Sequence, residues 1–108
     1  MLSRRVVELA EDKQANEIVL LDIRKQSTIA DYFVICSADN ERQLQAIAEH
    51  IDATIHRDFA EPRIEGRQHR WVILDYYDVI VHIFSNEQRE YYQLERLWSK
   101  ATPILVVQ

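Results

Sequence analysis

The sequence predicts an α/β domain in which helices pack on a mixed β-sheet. Three observations carry that expectation. Stretches with apolar residues at helical spacing alternate with short β-branched and aromatic runs. The 108 residues suffice for one hydrophobic core and not for two. A composition of 47% apolar and 29% charged residues is that of a folded chain rather than a disordered one. Residues 1–108 are therefore expected to form a single domain, with a core over about 2–98 and a tail over 99–108.

Leu2, Val6, Leu9, Ala10 and Lys13 recur at three- and four-residue steps, which makes residues 2–14 an amphipathic helix. Glu17 to Ile23 is an aliphatic run of strand length, and Asp31 to Ser37 is a second, aromatic and β-branched run. Leu44, Ile47, Ala48, Ile51 and Ile55 then line one face of a long helix whose first turn Ser37 or Asp39 is placed to cap. Pro62 and Gly66 mark a loop with at most a short edge strand at Arg63-Ile64-Glu65. Arg70 to Asp75 and Asp78 to Phe84 read as a hairpin joined by Tyr76-Tyr77, although neither tyrosine suits the positive φ of a tight hairpin turn. Ser85 or Asn86 caps a last helix reaching Trp98, with Tyr91, Leu94, Glu95 and Trp98 on one side. Pro103 stops it, and Ile104 to Val107 is left either to add a strand or to meet a partner.

Composition narrows function by exclusion. One Gly and two Pro leave no material for flexible linkers or a glycine cradle around phosphate. A lone cysteine, Cys36, suits a reducing compartment, and no apolar leader or membrane-length run is visible, so a cytoplasmic protein is expected. The formal charge of −5 disfavours bare nucleic acid and favours a basic protein partner.

With Tyr76-Tyr77 as the loop, Asp75 faces Asp78, Ile73 faces Ile80 and Trp71 faces His82 on one side of the sheet. Val72, Leu74, Val79, Val81 and Ile83 make the other side purely aliphatic and fit for cover by helices. The mixed side is the candidate functional surface. Opposed carboxylates repel, so either a cation meets them or the turn is wider. Asp residues flanking a hairpin are also ordinary turn formers, and His82 also reads as a hydrogen-bonded sheet residue. A metal or acid/base role for Asp75, Asp78 and His82 is a weaker reading, and Cys36 with His82 as nucleophile and base weaker still, because a buried thiol is inert.

Longer blocks are more specific. Leu21-Asp22-Ile23-Arg24, Ile29 through Ser37 and Arg42-Gln43 resemble the first signature of the ribosomal silencing factor, or Iojap-like, family of bacterial type. Glu65-Gly66, Trp71 through Tyr76, Asp78 through Phe84, Arg89 through Tyr92 and Leu94 through Trp98 resemble the second. Lys25, Ala38 and Tyr77 depart from it, standing where the family usually has glycine.

The resemblance implies a nucleotidyltransferase-like fold without catalytic residues, and no cofactor. It implies a translation repressor that acts under nutrient limitation. Such a factor binds the large ribosomal subunit through ribosomal protein L-fourteen, blocks joining of the small subunit, and forms a homodimer off the ribosome. Recognition of that kind calls for aromatic anchors and acidic groups, so the expected contact residues are Trp71, Asp75, Tyr76, Asp78, His82 and Phe84, with Tyr92 and Glu95 secondary. The rival is a metal-dependent nucleotidyl or phosphoryl transferase using Asp75 and Asp78.

Overall fold

A computed structural model of the chain describes residues 2–58, 61–66, 70–93, 96 and 101–107. Helix α1 (Leu2–Asp12) leads into strand β1 (Asn16–Asp22) and strand β2 (Tyr32–Ala38). Helix α2 (Glu41–Asp58), strands β3 (Arg63–Glu65), β4 (Trp71–Asp75) and β5 (Val79–Ser85), helix α3 (Asn86–Tyr92) and strand β6 (Thr102–Val107) follow. The six strands form one sheet in the order β3-β4-β5-β2-β1-β6. Only β2 and β5 run parallel, with Tyr32 beside Val79 and Ala38 beside Ser85, and the remaining neighbours are antiparallel. The sheet is mixed, as expected.

Alternation along the strands sends side chains to two faces. Val34, Cys36, Val72, Leu74, Val81 and Ile83 meet Val6, Leu9 and Ala10 of α1 and Leu44, Ile47, Ile51 and Ile55 of α2 in the larger core. Leu21, Phe33, Ile35 and Phe84 point to the opposite face and join Ile23, Ala30 and Ala101 in a second, smaller core. Burying a side chain such as Ile51 stabilises the fold by about 1.5–3 kcal/mol, so α2 is held by its apolar stripe rather than by helix propensity.

Local chemistry sets the element ends. Helix α1 closes with Gln14 at φ 60°, and Ala15 N–H bonds back to Ala10 C=O at 3.1 Å, a Schellman-type stop made without glycine. The cap of α2 is Asn40, not Ser37 or Asp39. Its side chain accepts Gln43 N–H at 2.8 Å while Gln43 Oε1 accepts the N–H of Asp39, one residue before the cap, at 2.7 Å, a variant of the capping box. Ser85 caps α3 through Gln88 N–H at 3.2 Å. That helix stops at Tyr92, because Gln93 turns left-handed at φ 47° and donates to Arg89 C=O, so no single helix runs to Trp98. The tail takes the strand alternative: β6 lies against β1, with Val107 beside Ile18 and Thr102 beside Asp22. Among the described residues no helix is long and apolar enough to cross a membrane.

Candidate functional site

The β4–β5 hairpin builds the mixed face, in a register two residues away from the expected one. Trp71 stands beside Phe84, Ile73 beside His82 and Asp75 beside Ile80. A two-residue shift leaves every side chain on its own face, so the division into mixed and aliphatic sides survives, but Asp75 and Asp78 are not opposed. The turn explains the shift. Tyr76 N–H bonds Val79 C=O at 2.9 Å, which makes Tyr77-Asp78 the loop, and Asp78 N–H returns to Tyr76 C=O at 2.9 Å across Tyr77. Tyr77 takes φ 72°, and the Asp75 carboxylate accepts its N–H at 2.8 Å. Ile80 thus takes the place on β5 where a second carboxylate was expected, and on the other flank of β4 Asp75 stands in register with Arg63 of β3.

Moving the loop moves Tyr76. Expected on the contact surface, it lies instead on the helix-covered face, 5% exposed, within the larger core. Burial there pushes its phenol pKa up, with the nearby Asp52 charge acting the same way. Asp78 sits on the turn with its side chain exposed, while its carbonyl oxygen accepts the N–H groups of Asp31 and Tyr32 at 2.8 and 3.0 Å. The hairpin tip is thereby pinned to the start of β2.

Aromatic rings gather on the mixed face. Trp71, half-buried, stacks on Phe84 at 4.6 Å between centroids and 30° between planes. His82 meets Phe33 edge-on at 4.8 Å and 64°. The indole N–H of Trp71 donates to His82 Nδ1 at 3.2 Å, which assigns the histidine proton to Nε2. His82 Nε2 is buried without a hydrogen-bond partner among the described residues. Desolvation lowers the pKa of this imidazole to about 4, against the opposing pull of the Asp75 charge. His82 is therefore neutral at physiological pH. Phe84 is fully buried, so Trp71, Ile73, Asp75 and Ile80 are the residues of this face that solvent reaches.

A second constellation, which the sequence reading did not single out, lies where β2 and β5 end. The Asp39 carboxylate accepts from the side-chain amides of Asn16 at 2.7 Å and Asn86 at 2.9 Å, which holds its pKa below the usual range. The buried guanidinium of Arg89 donates to the carbonyls of Asn16 and Glu17 and to Ser37 Oγ. Glu17, at φ 45° beside an irregularity in the β1–β2 register, aims its carbonyl at that cation. Asn16, Glu17, Ser37, Asn86 and Arg89 border an open cleft of about 770 Å³ that Arg96 also lines. Bonds to backbone carbonyls and a serine make the constellation a latch between β1, β2 and α3. Arg89 stands in one of the family-like blocks, but no spacing rule announces that its partners are carbonyls seventy-odd positions away.

Among the described residues no three or more His, Cys, Asp or Glu side chains are grouped to hold a metal ion. Cys36 is fully buried on the helix-covered face, with its thiol pushed up to about 12 by desolvation, whereas His82 is on the opposite face, so the two do not meet. Of the expected contact residues, the structure brings Trp71, Asp75, His82 and Phe84 together, sets Asp78 at the adjoining turn and puts Tyr76 beneath the sheet. Tyr92 ends α3, but its side chain, like the whole of Glu95, lies outside the described residues.

Comparison with known proteins bears on this arrangement. The family model described as "Ribosomal silencing factor during starvation" matches residues 1–108. A protein of Halalkalibacterium halodurans named as a ribosomal silencing factor is 40% identical over 105 residues, covering 95% of this chain and 90% of that one. One from Bacillus subtilis with the same name is 42% identical over 93 residues, covering 84% and 79%. A crystal structure of a Chromobacterium violaceum protein superposes with a TM-score of 0.87 at 28% identity, covering 91% of this chain and 83% of the other.

Proposed function

The chain belongs to the family of ribosomal silencing factors during starvation, and from that membership we propose that it represses translation under nutrient limitation. On this reading it binds the large ribosomal subunit through ribosomal protein L-fourteen and blocks the joining of the small subunit by occupying the space between them. The observation that carries the reading is the family match, which spans residues 1–108. The protein works in the cytoplasm, without a cofactor and without catalysis, and forms a homodimer when off the ribosome. It has no membrane contact and no nucleic-acid specificity of its own, in keeping with its formal charge of −5.

The contact surface we assign is the mixed face and its turn. Trp71 supplies apolar area at the rim, Asp75 and Asp78 pair with Lys or Arg of the ribosomal protein, and His82 and Phe84 support Trp71 from beneath. Tyr76 contributes from the core by holding the hairpin, and Tyr92 and Glu95 extend the surface. Large aromatic area ringed by carboxylates fits a basic partner. A transferase using Asp75 and Asp78 fits less well, since Asp75 is committed to Tyr77 N–H and lies beside Arg63.

Sedimentation with purified subunits tests the reading. The protein is expected to pellet with large subunits and not small ones, and to lower the yield of joined ribosomes when added before mixing. Equal binding to both subunits, or undiminished joining at saturating protein, would refute it.

A further inference from the structure

The geometry points to His82 as a positioning residue for Trp71: it does not touch the ribosomal partner but fixes the indole so that the partner meets the ring's carbon surface and not its N–H. This deepens the proposed function and rests on it. Trp71 has one hydrogen-bond donor, and that donor is directed inward to His82 Nδ1 at 3.2 Å. His82 is itself immobilised, 7% exposed, edge-on to Phe33 and with its ring plane nearly parallel to that of Phe84 at 13°, while Phe84 stacks directly on Trp71. Three rings and one hydrogen bond thus act on both the tilt and the in-plane rotation of this half-buried side chain.

An anchor fixed before binding loses less rotamer entropy when the partner arrives, and the gain appears in affinity without any new contact. The chemistry of the partner follows as well. A carbonyl or carboxylate seeking the indole N–H would have to break an existing bond inside the protein. An apolar side chain, or the cation of a Lys or Arg laid against the ring, needs no such exchange. The site is therefore specific for apolar or cationic groups of a basic protein at Trp71, with acceptor groups disfavoured.

The test combines His82→Leu, which removes the acceptor while keeping an apolar filler, with His82→Asn, whose Oδ1 stands near the place of Nδ1. Large-subunit affinity, thermal midpoint and hydrogen exchange of the indole N–H by NMR are measured on each. Trp71→Phe assigns the indole resonance and closes a double-mutant cycle. The expected result is a loss of affinity of about fivefold to tenfold for His82→Leu, the size of one hydrogen bond, with faster indole exchange. His82→Asn should recover both, and His82→Leu should cost no further affinity in the Trp71→Phe background. Wild-type affinity in His82→Leu, or an undiminished loss in the Trp71→Phe background, would overturn the positioning role. If the unaltered protein fails to bind large subunits, the functional reading itself is wrong and the inference falls with it.

Discussion

The carbonyl oxygen of Trp71 occupies the space that a Cβ on Gly66 would need. Gly66 also holds φ at 76°, which side-chain-bearing residues adopt at a cost. The one glycine of the chain therefore lets the segment after β3 close against the first residue of β4. Gly66→Ala is expected to destabilise the protein by about 2 kcal/mol or more, read as the shift of a urea midpoint. An unchanged midpoint would mean that β3 does not depend on this approach.

Tyr77 presents the reverse case, a side chain at φ 72° where glycine is at home. Its ring is 70% exposed and gives little burial in return. Replacement by glycine relieves the strained turn but adds freedom to the unfolded chain, and the first effect is the larger. Tyr77→Gly should raise stability by about 0.5–1 kcal/mol. A fall in the thermal midpoint would show that the ring holds the turn together.

Arg89 and Arg24 test burial as the deciding variable. Arg89, 8% exposed, donates to two carbonyls and a hydroxyl, and Arg89→Ala leaves those acceptors buried and unpaired. The expected cost is about 2–4 kcal/mol in denaturant unfolding. Arg24 makes an ion pair to Asp22 at 2.7 Å, yet its side chain is 58% exposed and water competes for it. Arg24→Ala should shift the midpoint far less, and comparable shifts in the two variants would contradict this ranking.

His82 ties stability to pH. Its folded pKa, lowered to about 4, lies beneath the ordinary histidine value of 6.5, so the unfolded chain binds the extra proton first. The stability from keeping it neutral is fully present above the unfolded pKa, declines as pH falls through this interval, and is gone below the folded pKa. Over that window the loss should approach about 3 kcal/mol, and His82→Leu should flatten it. Chemical denaturation from pH 7 to pH 4 on both proteins is the measurement, and parallel curves would refute the assignment.

Asp75 and Asp78 separate binding from folding. Asp78→Lys alters an exposed turn side chain while leaving the carbonyl that pins Asp31 and Tyr32, so the fold should change by about 0.5 kcal/mol or less. Asp75→Lys also removes the acceptor of Tyr77 N–H and should cost about 1 kcal/mol in stability. Both should weaken large-subunit binding by about 2 kcal/mol or more if the pairs are desolvated, whereas Glu49→Lys, exposed on α2, should not. Equal losses in all three would place the contact elsewhere.

Much of this was legible in the residues. The apolar stripe of α2 and the alternation of Val72, Leu74, Val81 and Ile83 dictate their faces whatever the register, because a face is a matter of parity. Register is not. It depended on which tyrosine accepts positive φ, and Tyr77 does so with its N–H held locally by Asp75 and with Asp78 pinned to the start of β2, a contact distant in sequence. The same slip takes Tyr76 out of the loop and into the ladder beside Val79, on the face that the helices cover. Asn40 took the cap from Asp39 because Asp39 was needed between Asn16 and Asn86, a demand no local pattern displays. The stop at Gln93 is likewise local backbone geometry with no glycine to signal it.

The pairing of β6 with β1 has a kinetic meaning. Val107 and Ile18 come from nearly opposite ends of the described chain, so this edge closes the longest loop in the sheet and gains nothing from local nucleation. The hairpin of β4 and β5, by contrast, zips across a two-residue turn. Order of assembly therefore runs outward from the local β4–β5 and β1–β2 pairs, with β6 arriving last. Amide protons of Thr102 and of Ile104 to Val107 should be the first in the sheet to exchange with deuterium, as the strand that docks last is also the one that opens at least cost.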